Sequence, residues 1–118
     1  MTYDSSNIFA KIIRGEIPCS KVYEDEAVLA FHDISKAASV HVLVVPKGPY
    51  ASFDDFIASA APDEITGFFE RIKKVAGLLN LDKSGYRLIT NHGTDGAQTV
   101  FHFHVHILGG EPLGGLLP

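Results

Sequence analysis

Three of the six histidines in this chain occupy alternating positions, at His102, His104 and His106. Side chains of a β-strand point to opposite faces with a period of two residues, so a strand over residues 100–108 presents all three imidazoles on one face. The apolar opposite face of this strand consists of Phe101, Phe103, Val105 and Ile107. The pattern therefore predicts a strand with one core face and one face that carries chemistry.

Three interpretations fit a row of imidazoles on a strand. The row could be an ordinary polar surface, or a His-X-His pair could bind zinc, which also needs a third ligand. Residues 100–108 contain no acid, and neither Cys-x-x-Cys nor His-Glu-x-x-His accompanies them. Neutral imidazole is also a good nucleophile toward phosphorus near pH 7. Attack on phosphorus is favoured because the small, polar loop 92–99 precedes the strand, where its amides could hold a phosphate.

Composition restricts the class of protein. A chain of 118 residues forms one domain and can bury enough surface to fold without a disulfide or a structural metal. Ten Lys and Arg against fourteen Asp and Glu give a net charge of -4, which argues against a broad nucleic-acid-binding face. The single cysteine, Cys19, indicates a reducing compartment. No signal peptide or membrane span is evident, so we expect a cytoplasmic protein with no membrane partner.

Periodicity and turn residues predict the elements that position the histidines. The order predicts an α+β fold around an antiparallel sheet of about five strands, with one long and one short helix. The expected elements are a short helix over 8–14 capped from residues 5–7, a hairpin of strands 21–24 and 28–32, a buried strand over 40–45, a long helix over 62–81 capped by Ser59, and strands over 86–91 and 100–108.

The segment HFHVHILGG, residues 102–110, resembles the histidine triad (HIT) motif. Further segments are similar to the Hint branch of that family, namely IFAKIIRGEIP (8–18), VYEDEAVLAFHDIS (22–35), HVLVVPK (41–47) and GYRLITNHGTDGAQTV (85–100). Only residues 49–80 match mainly in pattern. The chain is thus identified as one HIT domain over residues 1–118, with a C-terminal tail over about 111–118.

This resemblance implies a bacterial-type purine nucleoside phosphoramidase that cleaves P–N bonds without metal or cofactor and releases AMP or GMP and an amine. It implies a homodimer whose two sheets join. His104 matches the nucleophile that forms a nucleotidyl-histidine, and Asp33 matches the acid that binds ribose hydroxyls. The other catalytic positions implied are His102, His106, His41 and Thr99. The nucleotide-binding positions implied are Phe9, Ile17, Phe31, Asp33, Ile34, Asn91, Ala97, Gln98, Thr99, His104 and His106.

Several alternatives remain open at the level of sequence. From the residues alone, Asp33 could be a turn residue, and His41 could be a core histidine that pairs with His106 or His102. Ala97 stands where the family usually has glycine, and residues 7–10 lack the Cys-x-x-Cys of zinc-binding members. The run 98–100 favours dinucleoside polyphosphate hydrolysis, whereas residues 32–35 and Asn91 favour phosphoramidate hydrolysis. A nucleotide-dependent interaction module with incidental turnover would need the same residues. His32 and His92 are expected outside the chemistry.

Overall fold

The computed structural model describes residues 2–117 of the chain, which form a five-stranded antiparallel sheet with three helices. In chain order the elements are α1 (Ile8–Ile13), β1 (Lys21–Glu24), β2 (Val28–His32), β3 (Val40–Pro46), α2 (Phe53–Ser59), α3 (Pro62–Leu78), β4 (Tyr86–Ile89) and β5 (Val105–Gly109). The strand order is β1-β2-β3-β5-β4, and each neighbouring pair is antiparallel. The predicted α+β class is confirmed. Met1 and Pro118, the two ends of the expected domain, lie outside the described residues.

The central strands β2 and β3 are buried on both faces, as their nearly continuous apolar sequences predict. On one face Val42 and Val44 pack with the aromatic residues of α2 and α3 in the larger core. On the other face Leu43 and Val45 pack with Phe9 of α1 in a smaller core. The sheet therefore separates a thick layer of helices from a thin layer formed by α1.

Helix α2 was missed by the sequence interpretation, which expected one long and one short helix. Ser52 begins α2, because its hydroxyl oxygen accepts a hydrogen bond from the Asp55 amide. The expected cap of the long helix by Ser59 is wrong, since Ser59 is the last residue of α2. Helix α3 instead begins after Ala61, which provides no side-chain cap, and ends at Leu78 rather than Leu81. Pro62 in its first turn has no N–H that would need a partner. Within residues 2–117, none of the helices combines the length and apolar character that crossing a bilayer requires.

The expected strand over 100–108 is also wrong at its start, because β5 begins only at Val105. In the β3–β5 register Val44 faces Val105, so continued pairing would bring Pro46 opposite Phe103. Proline has no N–H to donate to a ladder, and the Pro46 carbonyl is bonded to the His102 ring instead. The chain before Val105 therefore leaves the sheet, and Phe101, expected in the core, is 40% exposed.

The hairpin of β1 and β2 has the bounds that the sequence predicts. Its turn is organised by Asp25, whose carboxylate accepts hydrogen bonds from the amides of Ala27 and Val28, from the Tyr23 hydroxyl and from Arg71 of α3. Burial raises the pKa of the Asp25 carboxyl, but these hydrogen bonds outweigh burial and hold that pKa far below its ordinary value. The turn is thereby tied to the helical layer.

Candidate active site

A cavity of about 680 Å³ opens on the α1 side of the sheet. Most of its wall is apolar, and three of its polar side chains, those of Asp33, His104 and His106, lie close together. Of the residues implied by the sequence, the wall contains Phe9, Ile17, Phe31, Asp33, Ile34, Thr99, His104 and His106. The cavity thus combines an apolar slot with one cluster of groups that can bond or react.

The hydrogen bond of His104 determines which of its ring nitrogens is free. Its Nδ1 lies 2.7 Å from the main-chain carbonyl oxygen of His102, and a carbonyl can only accept, so Nδ1 carries the proton. The Nε2 lone pair of His104 is consequently available. The ring is 6% exposed and packs edge-on against Phe9, with 4.9 Å between ring centroids. Burial lowers the pKa of His104 below its ordinary value, which favours the neutral, nucleophilic form.

The protonation of His41 and His106 follows from a backbone amide. The Ala37 N–H donates to His41 Nδ1 over 3.0 Å, so the proton of neutral His41 is on Nε2. That Nε2–H donates to His106 Nδ1 over 2.8 Å, which leaves the remaining proton of His106 on Nε2. Burial, followed by the neighbouring His104 and His41, lowers the pKa of His106 to about 4. His106 is therefore a neutral N–H donor beside His104, with ring centroids 5.1 Å apart.

His102 is fully buried and does not line the cavity. Its Nε2 lies 2.7 Å from the Pro46 carbonyl oxygen and carries the proton, and its Nδ1 lies 2.8 Å from the Tyr3 hydroxyl. Burial lowers the pKa of His102 as well. Although β5 starts later than expected, the three histidines still lie on the side of the chain opposite Phe103 and Val105, which belong to the larger core. Only His106 of the three lies on a strand.

Three expected nucleotide-binding residues do not line the cavity. The side chain of Gln98 is buried, and its amide donates to the carbonyls of Ala51 and Val100 and accepts from the Gly93 amide. Asn91 donates its amide proton to the Gly96 carbonyl. Ala97 has a φ of 60°, the left-handed conformation that glycine adopts most easily. These residues shape loop 92–99, whose Thr99 reaches the cavity wall.

Sequence reasoning did not identify several residues of the site. Cys19, Ser20, His32 and Lys36 line the cavity, although His32 was expected outside the chemistry. His92 lies apart, with its ring 3.5 Å from the Asp54 carboxylate. Ile34 is at the cavity mouth with its side chain wholly exposed. No periodic pattern distinguishes these residues, because loops bring most of them to the wall.

Among residues 2–117, Asp33, His41 and His106 could together hold a metal ion, since one ligand atom from each lies within 4.8 Å of the other two. The carboxylate Oδ2 of Asp33 is 3.4 Å from His41 Nε2. A metal on that nitrogen would displace its proton, yet Nδ1 already accepts from Ala37 and cannot take this proton without losing that bond. The hydrogen bonding thus favours a proton between His41 and its two neighbours rather than a metal.

The chain is similar to known proteins along nearly its whole length. The HIT domain family matches residues 14–113. An uncharacterized HIT-like protein of Rickettsia prowazekii is 50% identical over 115 residues, covering 98% of this chain and 96% of the relative. A histidine triad protein from Clostridium difficile has a TM-score of 0.88 at 44% identity, covering 97% of this chain and 98% of that structure. A HIT family hydrolase from Legionella pneumophila has a TM-score of 0.87 at 38% identity, covering 92% and 96%.

Proposed function

The chain belongs to the HIT domain family, and on that basis we propose that it hydrolyses purine nucleoside phosphoramidates through a nucleotidyl intermediate on His104. The observation that carries the proposal is the free Nε2 of His104, which results from the donation of its Nδ1–H to the His102 carbonyl. The similarity to a HIT family hydrolase supports hydrolysis as the reaction type.

In the first step, His104 Nε2 attacks the α-phosphorus and the bond from phosphorus to the amine nitrogen breaks. His104 becomes a phosphorylated imidazolium that keeps its Nδ1–H on the His102 carbonyl, which stabilises the positive charge. The departing amine needs a proton, and we assign its donation to the Nε2–H of His106 on the cavity wall, whose Nδ1 accepts a hydrogen bond from His41. Thr99 lines the same cavity, and its hydroxyl can bond a phosphate oxygen.

In the second step, water attacks phosphorus and the bond from phosphorus to His104 Nε2 breaks. The proton of the attacking water passes to His106, which lost its own proton to the amine, and His104 returns to its neutral form. A pKa of about 4 keeps His106 neutral near pH 7, so it gives its Nε2–H to the amine only as the His41 Nε2–H moves to its Nδ1, and this shift reverses when the proton of water arrives.

The remainder of the cavity suits a nucleoside. Its volume of about 680 Å³ lies within the range of roughly 300–1,000 Å³ typical of small-molecule sites. Phe9 and Phe31 pack edge-to-face with centroids 5.7 Å apart, and they provide an apolar wall for a flat purine. The half-buried Asp33 carboxylate lies on the same wall and can accept from ribose hydroxyls. Adenine and guanine nucleotides both fit these features.

A homodimer that extends the sheet is part of the proposal. Strand β4 is at the edge of the sheet, and its Tyr86 and Leu88 side chains are exposed, which is unfavourable for an unpaired edge. Light scattering at micromolar concentration should give the mass of two chains, and a monomer would contradict this part. The half-buried free thiol of Cys19 supports the reducing cytoplasm as the place of action.

The test is release of amine from an adenosine phosphoramidate by the purified protein. We expect His104→Ala to abolish turnover, while mass spectrometry of the wild type after rapid acid quench detects the adenylylated chain. His92→Gln is a matched control because it removes an imidazole outside the cavity. Full turnover by His104→Ala would refute the assignment of the nucleophile. Faster cleavage of diadenosine triphosphate would indicate a dinucleoside polyphosphate hydrolase, and AMP binding without turnover would indicate an interaction module.

A further inference from the structure

The N-terminal segment contacts His102, the first of the three alternating histidines, through Tyr3. The Tyr3 hydroxyl lies 2.8 Å from His102 Nδ1, and the two rings meet edge to face with centroids 5.6 Å apart. The two residues are 99 positions apart in the chain. Tyr3 is half-buried, whereas His102 is completely buried. The contact joins the segment before α1 to the start of the segment 102–106, which carries the three alternating histidines.

The direction of this hydrogen bond follows from the other side of the ring. His102 Nε2 faces the Pro46 carbonyl oxygen at 2.7 Å and must carry the proton, so Nδ1 is the acceptor and the Tyr3 hydroxyl is the donor. The main-chain carbonyl of His102 then accepts from His104 Nδ1. His102 thus links Tyr3 to His104, because its ring bonds Tyr3 and its main-chain carbonyl bonds His104.

We propose that Tyr3 is a positioning residue for the nucleophile, acting through His102, and this inference rests on the proposed function of His104. Without the hydroxyl, His102 Nδ1 would be a buried acceptor with no donor, which is an unfavourable state. The His102 ring would then rotate or take up a proton. Either change disturbs the His102 carbonyl that holds the proton on His104 Nδ1. The fraction of molecules in which His104 Nε2 is free and directed into the cavity then falls.

The test compares two tyrosine substitutions that each remove one bonded hydroxyl. Tyr3→Phe keeps the ring against His102, and Tyr23→Phe removes a hydroxyl that bonds Asp25, neither of which lines the cavity. We expect Tyr3→Phe to lower kcat for an adenosine phosphoramidate about tenfold with KM changed less than twofold. Tyr23→Phe should leave both constants unchanged. Urea unfolding verifies that both variants are folded.

A second readout does not depend on turnover. Nitrogen-15 NMR of the imidazoles should show the His102 and His104 signals displaced in Tyr3→Phe and unmoved in Tyr23→Phe. Unmoved signals together with wild-type kcat would overturn the proposal, as would an equal loss of kcat in Tyr23→Phe. If the wild type hydrolyses no phosphoramidate, the proposed function fails, whereas displaced His104 signals would still establish positioning by Tyr3.

Discussion

Acidification should destabilise this fold between pH 6.5 and 4 because its buried histidines are held neutral. Burial lowers the pKa values of His41, His102 and His104, and the pKa of His106 falls from 6.5 to about 4. The unfolded chain therefore binds protons at a higher pH than the folded chain. The free energy of unfolding that depends on these neutral histidines is therefore at its full value above pH 6.5, and it is lost as the pH falls toward 4.

The magnitude can be worked out for His106. The difference between 6.5 and about 4 is about 2.5, which at about 1.36 kcal/mol per pH unit corresponds to about 3.4 kcal/mol. The ring borders the open cavity, and solvent there reduces the value to about 2 kcal/mol. The depressed carboxyl pKa values of Glu24 and Asp25 contribute only below about pH 4.5, because their stabilisation is lost as the pH falls below the unfolded values. The interval from pH 6.5 to 5 therefore reports the histidines.

Urea unfolding at pH 7, 6 and 5, at constant ionic strength and protein concentration, measures this slope. We expect the wild type to lose at least about 1 kcal/mol between pH 7 and 5, and His106→Gln to lose distinctly less. His92→Gln, which removes an exposed imidazole, is the matched control and should keep the wild-type slope. A flat wild-type profile over this interval, or an unchanged slope in His106→Gln, would refute the reasoning.

Three further predictions concern stability, and each is measured by urea unfolding at pH 7. Phe56→Ala should cost about 3–5 kcal/mol, because the fully buried ring stacks on Phe103 and its loss leaves a cavity; a cost below about 1 kcal/mol would contradict this. Asp25→Asn should cost about 2 kcal/mol through the weakened bond to Arg71, and the difference from wild type should shrink below about pH 3.8. Ala97→Gly should stabilise by about 0.5–1 kcal/mol, because it relieves a φ of 60°, and a loss of stability would show that this conformation carries no strain.

The fold could be predicted where the sequence pattern is local and regular. The hairpin strands Lys21–Glu24 and Val28–His32 follow directly from β-branched and aromatic residues on either side of an acidic turn. Helix α2 was missed because it has only seven residues, too few for a clear period, and two adjacent aspartates interrupt its apolar positions. The start of β5 depends on Pro46, which lies in another strand and acts through the pairing register.

The sequence predicts which residue types line the site, but it does not predict which nitrogen of each imidazole carries the proton. Alternation of the histidines, together with the family resemblance, led to His104, His106 and Asp33, which line one cavity. The free nitrogen of each ring depends on main-chain groups whose positions only the folded backbone determines. Likewise, nothing near residue 3 in the sequence indicates a contact with residue 102.

The anchoring of the imidazoles has a consequence for changing this enzyme's chemistry by mutation. Three of the four rings, those of His41, His102 and His104, bond to peptide groups at Ala37, Pro46 and residue 102. Side-chain substitutions around the cavity leave those peptide groups in place, so they can change the cavity wall while His104 keeps the same free nitrogen. An exchange of the protonated and the free nitrogen of His104 would require a change in the path of the backbone at residue 102. The shape of the cavity and the protonation of its histidines are therefore separately adjustable in this fold.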